Sequence, residues 1–444
     1  MTHPYIPNAE PAVRAEMLAA IGVTSVEDFY VDIPAALRLD RPLDLPAPMA
    51  SEHELVRHMR GLLDRNTDTT EALSFLGGGC YPHHVPAVCD EVNARSEFLT
   101  AYAGEPYEDH GRFQALFEYV SMMGELLEMD VVNVPTYDGF QAAGTALRMA
   151  ARYTGRSKVL VTGAIGPDKL SKLRDFLSPD IAITPIPVAA NGEAGEFVVD
   201  DTIAAVYVES PNFYGVVETR IAEIAELAHA HGALLVVSAD PISLGVLAPP
   251  ATLGADIVCG DIQSLGMHQS YGGGHAGYIA TQDIHALVAE FPSRLFGIAP
   301  TAVPGEYGFG DVYYDRTSFA LREEGKEWVG TAASLWGITA GVYLALMGPT
   351  GMREIGDTIL ARTRYAMDAL AAVPGVRVPH ADAIHFREFA IEVADSAALL
   401  SGLRARGIYG GVPLDATTLL VCVTERHAKD DIDALVRAVR EVQG

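Results

Sequence analysis

Lysine is what this chain most lacks. Its 444 residues hold five, Lys158, Lys169, Lys172, Lys326 and Lys429, and none lies between Lys172 and Lys326. With so few in all, chance alone could empty that interval, so its weight depends on the chemistry asked of the interval. Cysteine is scarce too: only Cys80, Cys89, Cys259 and Cys422 occur. The last two have apolar, strand-like flanks, which argues for a reducing, cytoplasmic setting rather than a disulfide framework. Positive charge falls well short, with 31 Lys and Arg against 58 Asp and Glu and a formal charge of −27. Such a surface repels nucleic acid and anionic membranes, and neither is expected as a partner. No run of about eighteen apolar residues suggests a membrane span. The opening MTHPYIPNAEPAVRAEM has neither a basic n-region nor an apolar h-region, so no secretory signal is expected there. Polar low-complexity tracts are absent and 49% of residues are hydrophobic. That is the composition of a folded protein with a large core, in roughly two or three domains.

What is present falls into three stretches. Residues 1–50 are rich in proline and read as an arm with one short helix, Pro11–Ile21, ended by Gly22. Ile33-Pro34, Arg41-Pro42, Leu45-Pro46 and Ala47-Pro48 keep the backbone after it extended. Such an arm either packs on another domain or subunit or stays a loose tail. Residues 51–330 form the second stretch. Ser51 and Glu54 have capping-box spacing and open a helix to about Leu63. Irregular text around Gly77–Gly79 and Pro82 follows, then a helix after Pro86, a further irregular stretch over 100–110, and an amphipathic helix near Arg112–Met129. From Val131 buried strands alternate with helices, at Lys158–Thr162, Ala182–Pro187, Ile203–Glu209 and Ala233–Ser238. This pattern predicts a mainly parallel sheet covered by helices on both faces. Residues 331–444 predict an α+β domain: helices near Ser334–Leu346 and Gly351–Ala372, strands at Phe389–Val393 and Leu419–Val423, helices at Ala397–Arg406 and Lys429–Glu441.

Leu234–Ala280 is the stretch the rest is organised around. A buried strand ends in Asp240, a short strand follows at Ala255–Cys259, and Gly272-Gly273-Gly274 precedes a third apolar run. The order resembles the part of a pyridoxal-phosphate (PLP) enzyme in which an Asp meets the pyridine nitrogen and, some twenty to thirty residues on, a Lys holds the aldehyde. Here the Asp is present and the Lys is not. Gln263, Ser264, His268 and Gln269 cannot form an internal aldimine.

Further motifs widen the resemblance: PYIPNAE, SFLGGGCYPHHVPAV, ARSEFLTAY, QALFEYVSMMGELLEMDVVN, YDGFQAAGTALRMA, ESPNFYGVVE, YGGGHAGYIA and YLALMGPTGMREI. Together they resemble the glycine cleavage system P-proteins, on the side of their α subunit, over most of the chain. The resemblance implies PLP-dependent transferase fold type I, a large α/β domain joined to a small α+β C-terminal domain. It implies that a homologous β subunit carries the PLP lysine, in an α2β2 assembly. The pair would decarboxylate glycine and pass the aminomethyl group to the lipoyl H-protein. No catalytic residue is then expected on this chain alone.

Two sets of residues follow from the resemblance. Asp138, Asp240, Gln263 and His268 mark a degenerate cofactor site. Asp240 is either a working carboxylate or a relic that caps its own loop. Asp138 stands where such folds bind phosphate at a helix N-terminus, and its negative charge points to a cap instead. Tyr81, His83 and Tyr102, with Gly77, Gly78 and Gly79, are candidate contributors to the partner's site. Triglycine allows close backbone approach, and Tyr and His offer a donor and a proton carrier. The alternative is that Tyr81 and His83 only pack an interface. Cys80, His83, His84 and Cys89 could in principle hold a metal, but the Cys spacing is not a usual zinc pattern and Pro86 intervenes, so no metal is expected. The text departs from the family at Ala103–Glu108 and Glu323–Ser334. A divergent paralogue acting on another amino acid, or a non-catalytic scaffold, therefore stands beside the first reading.

Overall fold

A computed structural model of the chain describes residues 5–6, 10–68, 72–98, 110–272, 274–330 and 332–444. Tyr102, Gly273 and the departure at 103–108 lie outside the described residues. The chain divides into two units, residues 1–67 and 68–444.

In the first unit, α1 (Pro11–Ala20) and α2 (Glu52–Leu63) bury none of their residues. Ser51 caps α2 by accepting from the Glu54 N–H. Leu55, Val56, Met59, Leu62 and Leu63 stand exposed along α2.

The second unit opens with β1 (Leu73–Ser74), α3 (Ala87–Asn93), α4 (His110–Leu127), β2 (Val131–Val132) and α5 (Gly139–Thr154). The α/β alternation follows: β3 (Lys158–Thr162), α6 (Pro167–Leu177), β4 (Ala182–Ile186), β5 (Ile203–Ser210), α7 (Ile221–Ala230), β6 (Leu234–Ala239), β7 (Ile257–Asp261) and β8 (Gly277–Thr281). These strands form a seven-stranded sheet in the order β2-β8-β7-β6-β5-β3-β4. The β3–β7 block is parallel, and β8 runs antiparallel to both β7 and β2. The sheet is thus mainly parallel, as the periodicity predicts. Its antiparallel edge is not visible in the periodicity, because an apolar run carries no direction. One face packs Val206, Val208, Leu235 and Val237 against α4, α7 and the long C-terminal-side helix. The other packs Tyr207, Val236, Ile257 and Cys259 against Ala142, Ala146, Met149 and Ala150 of α5. The small side chains of α5 let the helix lie close on the strands.

Next come α8 (His285–Val288), a hairpin of β9 (Leu295–Pro300) and β10 (Tyr307–Val312), and α9 (Ser318–Leu321). The two helices expected after Ser334 are present as one run, α10 (Ser334–Ala371), broken at Gly348, whose φ of 57° and the following Pro349 interrupt the helical ladder. Then follow β11 (Glu388–Glu392), α11 (Ser396–Arg404), β12 (Ile408–Tyr409), β13 (Val412–Pro413), β14 (Thr418–Cys422) and α12 (Lys429–Gln443). β11, β14 and β13 form an antiparallel sheet, with its own core of Phe389, Ile391, Leu399, Leu419, Val421 and Leu435. Phe75 belongs to that core, and β1 pairs with β12 in parallel. The segment leading to the triglycine is therefore sewn into the C-terminal part. The departure near residue 323 is tied down electrostatically: Lys326 bonds Glu290 at 2.6 Å, while Arg152 contacts Glu290 and bonds Glu327 at 2.8 Å. Among the described residues no helix is long and apolar enough to cross a membrane.

Candidate functional site

Strand periodicity places Glu209, Ser238, Asp240 and Asp261 on the α5 side of the sheet, at the carboxyl ends of β5, β6 and β7. That rim is where open α/β sheets bind their ligands. Three cations meet these carboxylates. Lys169 reaches over from α6, and its Nζ lies 2.6 Å from Glu209 Oε1 and 3.4 Å from Ser238 Oγ. The Tyr207 hydroxyl donates to the same Glu209 oxygen at 2.7 Å. Burial disfavours the ammonium, but Glu209 outweighs it, and the lysine pKa is raised above its ordinary value. Arg387, at the start of β11 and 2% exposed, contacts Asp240 Oδ2. Asp240 Oδ1 accepts from the Ile242 N–H at 2.9 Å, so the carboxylate also caps its own loop. His275 Nδ1 lies 3.1 Å from Asp261 Oδ2. Hydrogen bonds to Asp261 and Cys80 push that imidazole up to about 10, against the effect of burial.

The N-terminus of α5 is occupied in the same way. Asp138 Oδ1 accepts from the Gln141 N–H at 2.7 Å, the cap its position predicts. Asp261 Oδ2 accepts from the Gly139 N–H at 2.8 Å, and Asp261 Oδ1 from the Gln263 N–H at 2.8 Å. Two carboxylates thus hold the donors that a phosphate would need. These side chains do not fit PLP. The amine beside Ser238 and Glu209 is an ion-paired ammonium, the helix end is already anionic, and the Asp that would meet a pyridinium is paired with Arg387.

A second constellation forms around the triglycine. Gly78 N–H donates to Glu388 Oε1 at 2.7 Å, and the Tyr81 hydroxyl donates to Glu388 Oε2 at 2.9 Å. A Cβ on Gly77 would run into the Glu388 carboxylate and Cys422, so that position needs glycine. Gly78, with φ at 76°, needs it for backbone reasons. The Arg387 guanidinium lies 3.8 Å from the Tyr81 ring centroid. His83 Nδ1 is 2.7 Å from Glu425 Oε2, and Arg387 Nη1 donates to His83 Nε2 at 2.6 Å. The network assigns the proton to Nδ1, so both ring nitrogens are engaged. Burial lowers the His83 pKa, and Arg387 adds to it. Burial and Glu388 push the Tyr81 phenol well up. Burial opposes the Glu425 charge, but His83 and the His84 N–H hold it down to about 2.

The sequence-derived residues are therefore only partly gathered. Tyr81, His83, Asp240 and Gln263 share one network through Arg387 and the Tyr81 backbone, and Asp138 sits at the neighbouring helix end. His268 is not among them. The close approach at Gly266, whose φ is 84°, precedes it, and its exposed ring pairs with Asp90 of α3 at 2.9 Å. Cys89 is buried against Gly266 and Tyr343, apart from Cys80. Among the described residues no three His, Cys, Asp or Glu side chains are grouped to hold a metal ion. Lys169, Glu209, Asp261, Arg387, Glu388 and Glu425 were not singled out from the sequence. Sheet alternation could have flagged Glu209 and Asp261, but nothing local marks Arg387 or Glu425.

Known proteins resemble this chain over nearly its whole length. A probable glycine dehydrogenase (decarboxylating) subunit 1 from Chlorobium phaeobacteroides is 37% identical over 446 residues, covering 98% of either chain. A protein of the same name from Sulfurisphaera tokodaii is 35% identical over 450 residues, covering 99% of either. The crystal structure of an inhibitor-bound glycine decarboxylase (P-protein) of the glycine cleavage system superposes with a TM-score of 0.88 at 36% identity, over 99% of this chain and 100% of that one. A sphingosine-1-phosphate lyase from Burkholderia pseudomallei, with a TM-score of 0.66 at 15% identity, covering 92% of this chain and 94% of its own, shares the fold alone. The family model for the glycine cleavage system P-protein matches residues 3–439. With nearly every residue inside that match and the relatives collinear from end to end, the chain belongs to the glycine cleavage system P-protein family.

Proposed function

We propose that this chain is the α-type subunit of a two-subunit glycine decarboxylase and holds no PLP of its own. The homologous β subunit holds the cofactor, which supplies the electron sink for decarboxylation, and the aminomethyl group leaves on the lipoyl arm of the H-protein. The observation that carries this reading is the rim, where Lys169, Arg387 and His275 are each spent on an internal carboxylate. A chain of this family whose own rim is self-neutralised needs a partner's centre to turn over glycine. Its contribution is to shape that centre's wall with the 77–84 loop, and with Tyr102 beyond it. Tyr81 and His83 serve there mainly as anchors, because their polar atoms are turned inward on Glu388, Glu425 and Arg387. The apolar side chains left exposed along the arm favour its docking on the partner in an α2β2 assembly in the cytoplasm.

Exchange of labelled bicarbonate into glycine tests the proposal. It is expected only when this chain, the β subunit and lipoyl H-protein are mixed. Exchange by this chain alone, or undiminished exchange without it, would refute the proposal.

A further inference from the structure

Gln263 lies in the segment that lacks the lysine, and its side chain has a different task. It is 1% exposed. Its amide oxygen accepts from the Tyr81 N–H at 3.0 Å, and its amide nitrogen donates to the Tyr81 carbonyl at 3.2 Å and to the Met267 carbonyl at 3.1 Å. Both backbone groups of Tyr81 are thus paired with one side chain. Neither a lysine nor a carboxylate could do this: an ammonium has no acceptor and a carboxylate no donor.

Glu425, just after β14, grips the same loop two and three residues further on. One carboxylate oxygen meets His83 Nδ1 at 2.7 Å and the other accepts from the His84 N–H at 2.7 Å. The Glu425 main-chain carbonyl is itself held by Arg362. One clamp comes from the β7–β8 connection and the other from the end of β14. Gly78 and Gly79, before the gripped residues, and the residue His84 as a whole remain exposed. Gly79 has a φ of 111° and open space where a side chain would stand.

We propose that Gln263 and Glu425 are positioning residues that hold the Gly78–Cys80 turn, preformed, against the active site of the partner subunit. This rests on the two-subunit function proposed above. Preformed geometry matters because a displacement of about 1 Å in a positioning element can lower turnover on the order of a hundredfold.

The test uses the assembled complex with H-protein, measuring kcat and KM for glycine in bicarbonate exchange, the affinity for the β subunit, and amide hydrogen exchange over residues 78–84. Gln263→Ala and Glu425→Ala are expected to speed hydrogen exchange in the loop and lower kcat by about tenfold or more, with KM and partner affinity changed by less than about threefold. Glu425→Gln, which keeps an acceptor for the His84 N–H, is expected to recover part of kcat. Should an alanine variant fail to fold, Gln263→Asn and Glu425→Gln carry the comparison. A loosened loop with kcat unchanged at saturating partner overturns the proposal, as does a loop whose exchange neither substitution alters. Absence of exchange activity in the wild-type mixture would defeat the two-subunit reading instead, and the loop measurement would still decide the clamp.

Discussion

Lys169 Nζ stands 2.6 Å from Glu209 Oε1 at the carboxyl end of β5. This lysine, which also reaches Ser238 two residues before Asp240, is thereby kept as an ammonium. An aldehyde needs the neutral amine, so the isolated chain treated with PLP and borohydride is expected to show no labelled Lys169 by peptide mass mapping at pH 7. Glu209→Gln removes the principal counter-charge, lets burial weigh more heavily and lowers the lysine pKa. Labelling of Lys169 should then rise, and a wild-type chain labelled as readily as the variant would refute the pairing argument. Breaking a partly buried pair from one side is also expected to destabilise the fold by about 3 kcal/mol in urea unfolding.

His275 gives a pH signature. Its folded pKa, raised by Asp261 and Cys80 to about 10, lies above the unfolded value of about 6.5. The stabilisation it contributes is therefore complete below about pH 6.5 and is lost as pH rises through about 10. Comparing wild type with His275→Gln by urea unfolding should show the largest gap near pH 6, on the order of 2 kcal/mol after allowing for the ring's partial exposure, and little gap above about pH 10. A gap that is constant across this range would mean the imidazolium is not what Asp261 holds.

Asp138 acts on α5 as a cap. Asp138→Ala is expected to cost about 1 kcal/mol, with Asp138→Ser near wild type. Neither variant should gain affinity for inorganic phosphate, because Asp261 still occupies the Gly139 N–H. Calorimetric titration with phosphate checks this, and tight binding to Asp138→Ala would reopen the helix end as an anion site.

Gly77→Ala places a methyl group against the Glu388 carboxylate and Cys422. Overpacking of this kind is expected to cost about 1–3 kcal/mol and to free the loop from β11. The fall in thermal midpoint, together with faster amide exchange at Gly78, reports it. A variant as stable as wild type would show that the loop is not pressed onto β11.

Much of the architecture could be read directly from residue order. The α/β alternation, the Asp138 cap, the break at Gly348-Pro349 and the existence, though not the antiparallel pairing, of the C-terminal strands follow from local signals that survive without a fold: period, caps, and breakers. The loop cap by Asp240 belongs with them, since its donor is two residues away. The hairpin β9–β10 was missed because its glycines and exposed residues interrupt the alternation.

The missing lysine was equally plain, because an absent amine is a property of composition at a stretch and needs no coordinates. What the sequence by itself determined, then, is the family's fold and the lack of an aldehyde anchor between Lys172 and Lys326. Only the tertiary structure decided how the charged groups around that stretch are paired. Asp240 and Arg387 are far apart in the chain, as are Lys169 and Glu209, Tyr81 and Gln263, and His83 and Glu425. No periodicity links such partners. Lys169, Glu209, Asp240 and Arg387 meet because a parallel sheet collects the carboxyl ends of distant strands on one rim, where each charge must find an opposite one close by, while residues 81–84 meet Gln263 and Glu425 because the chain lays them between the β7–β8 connection and the end of β14.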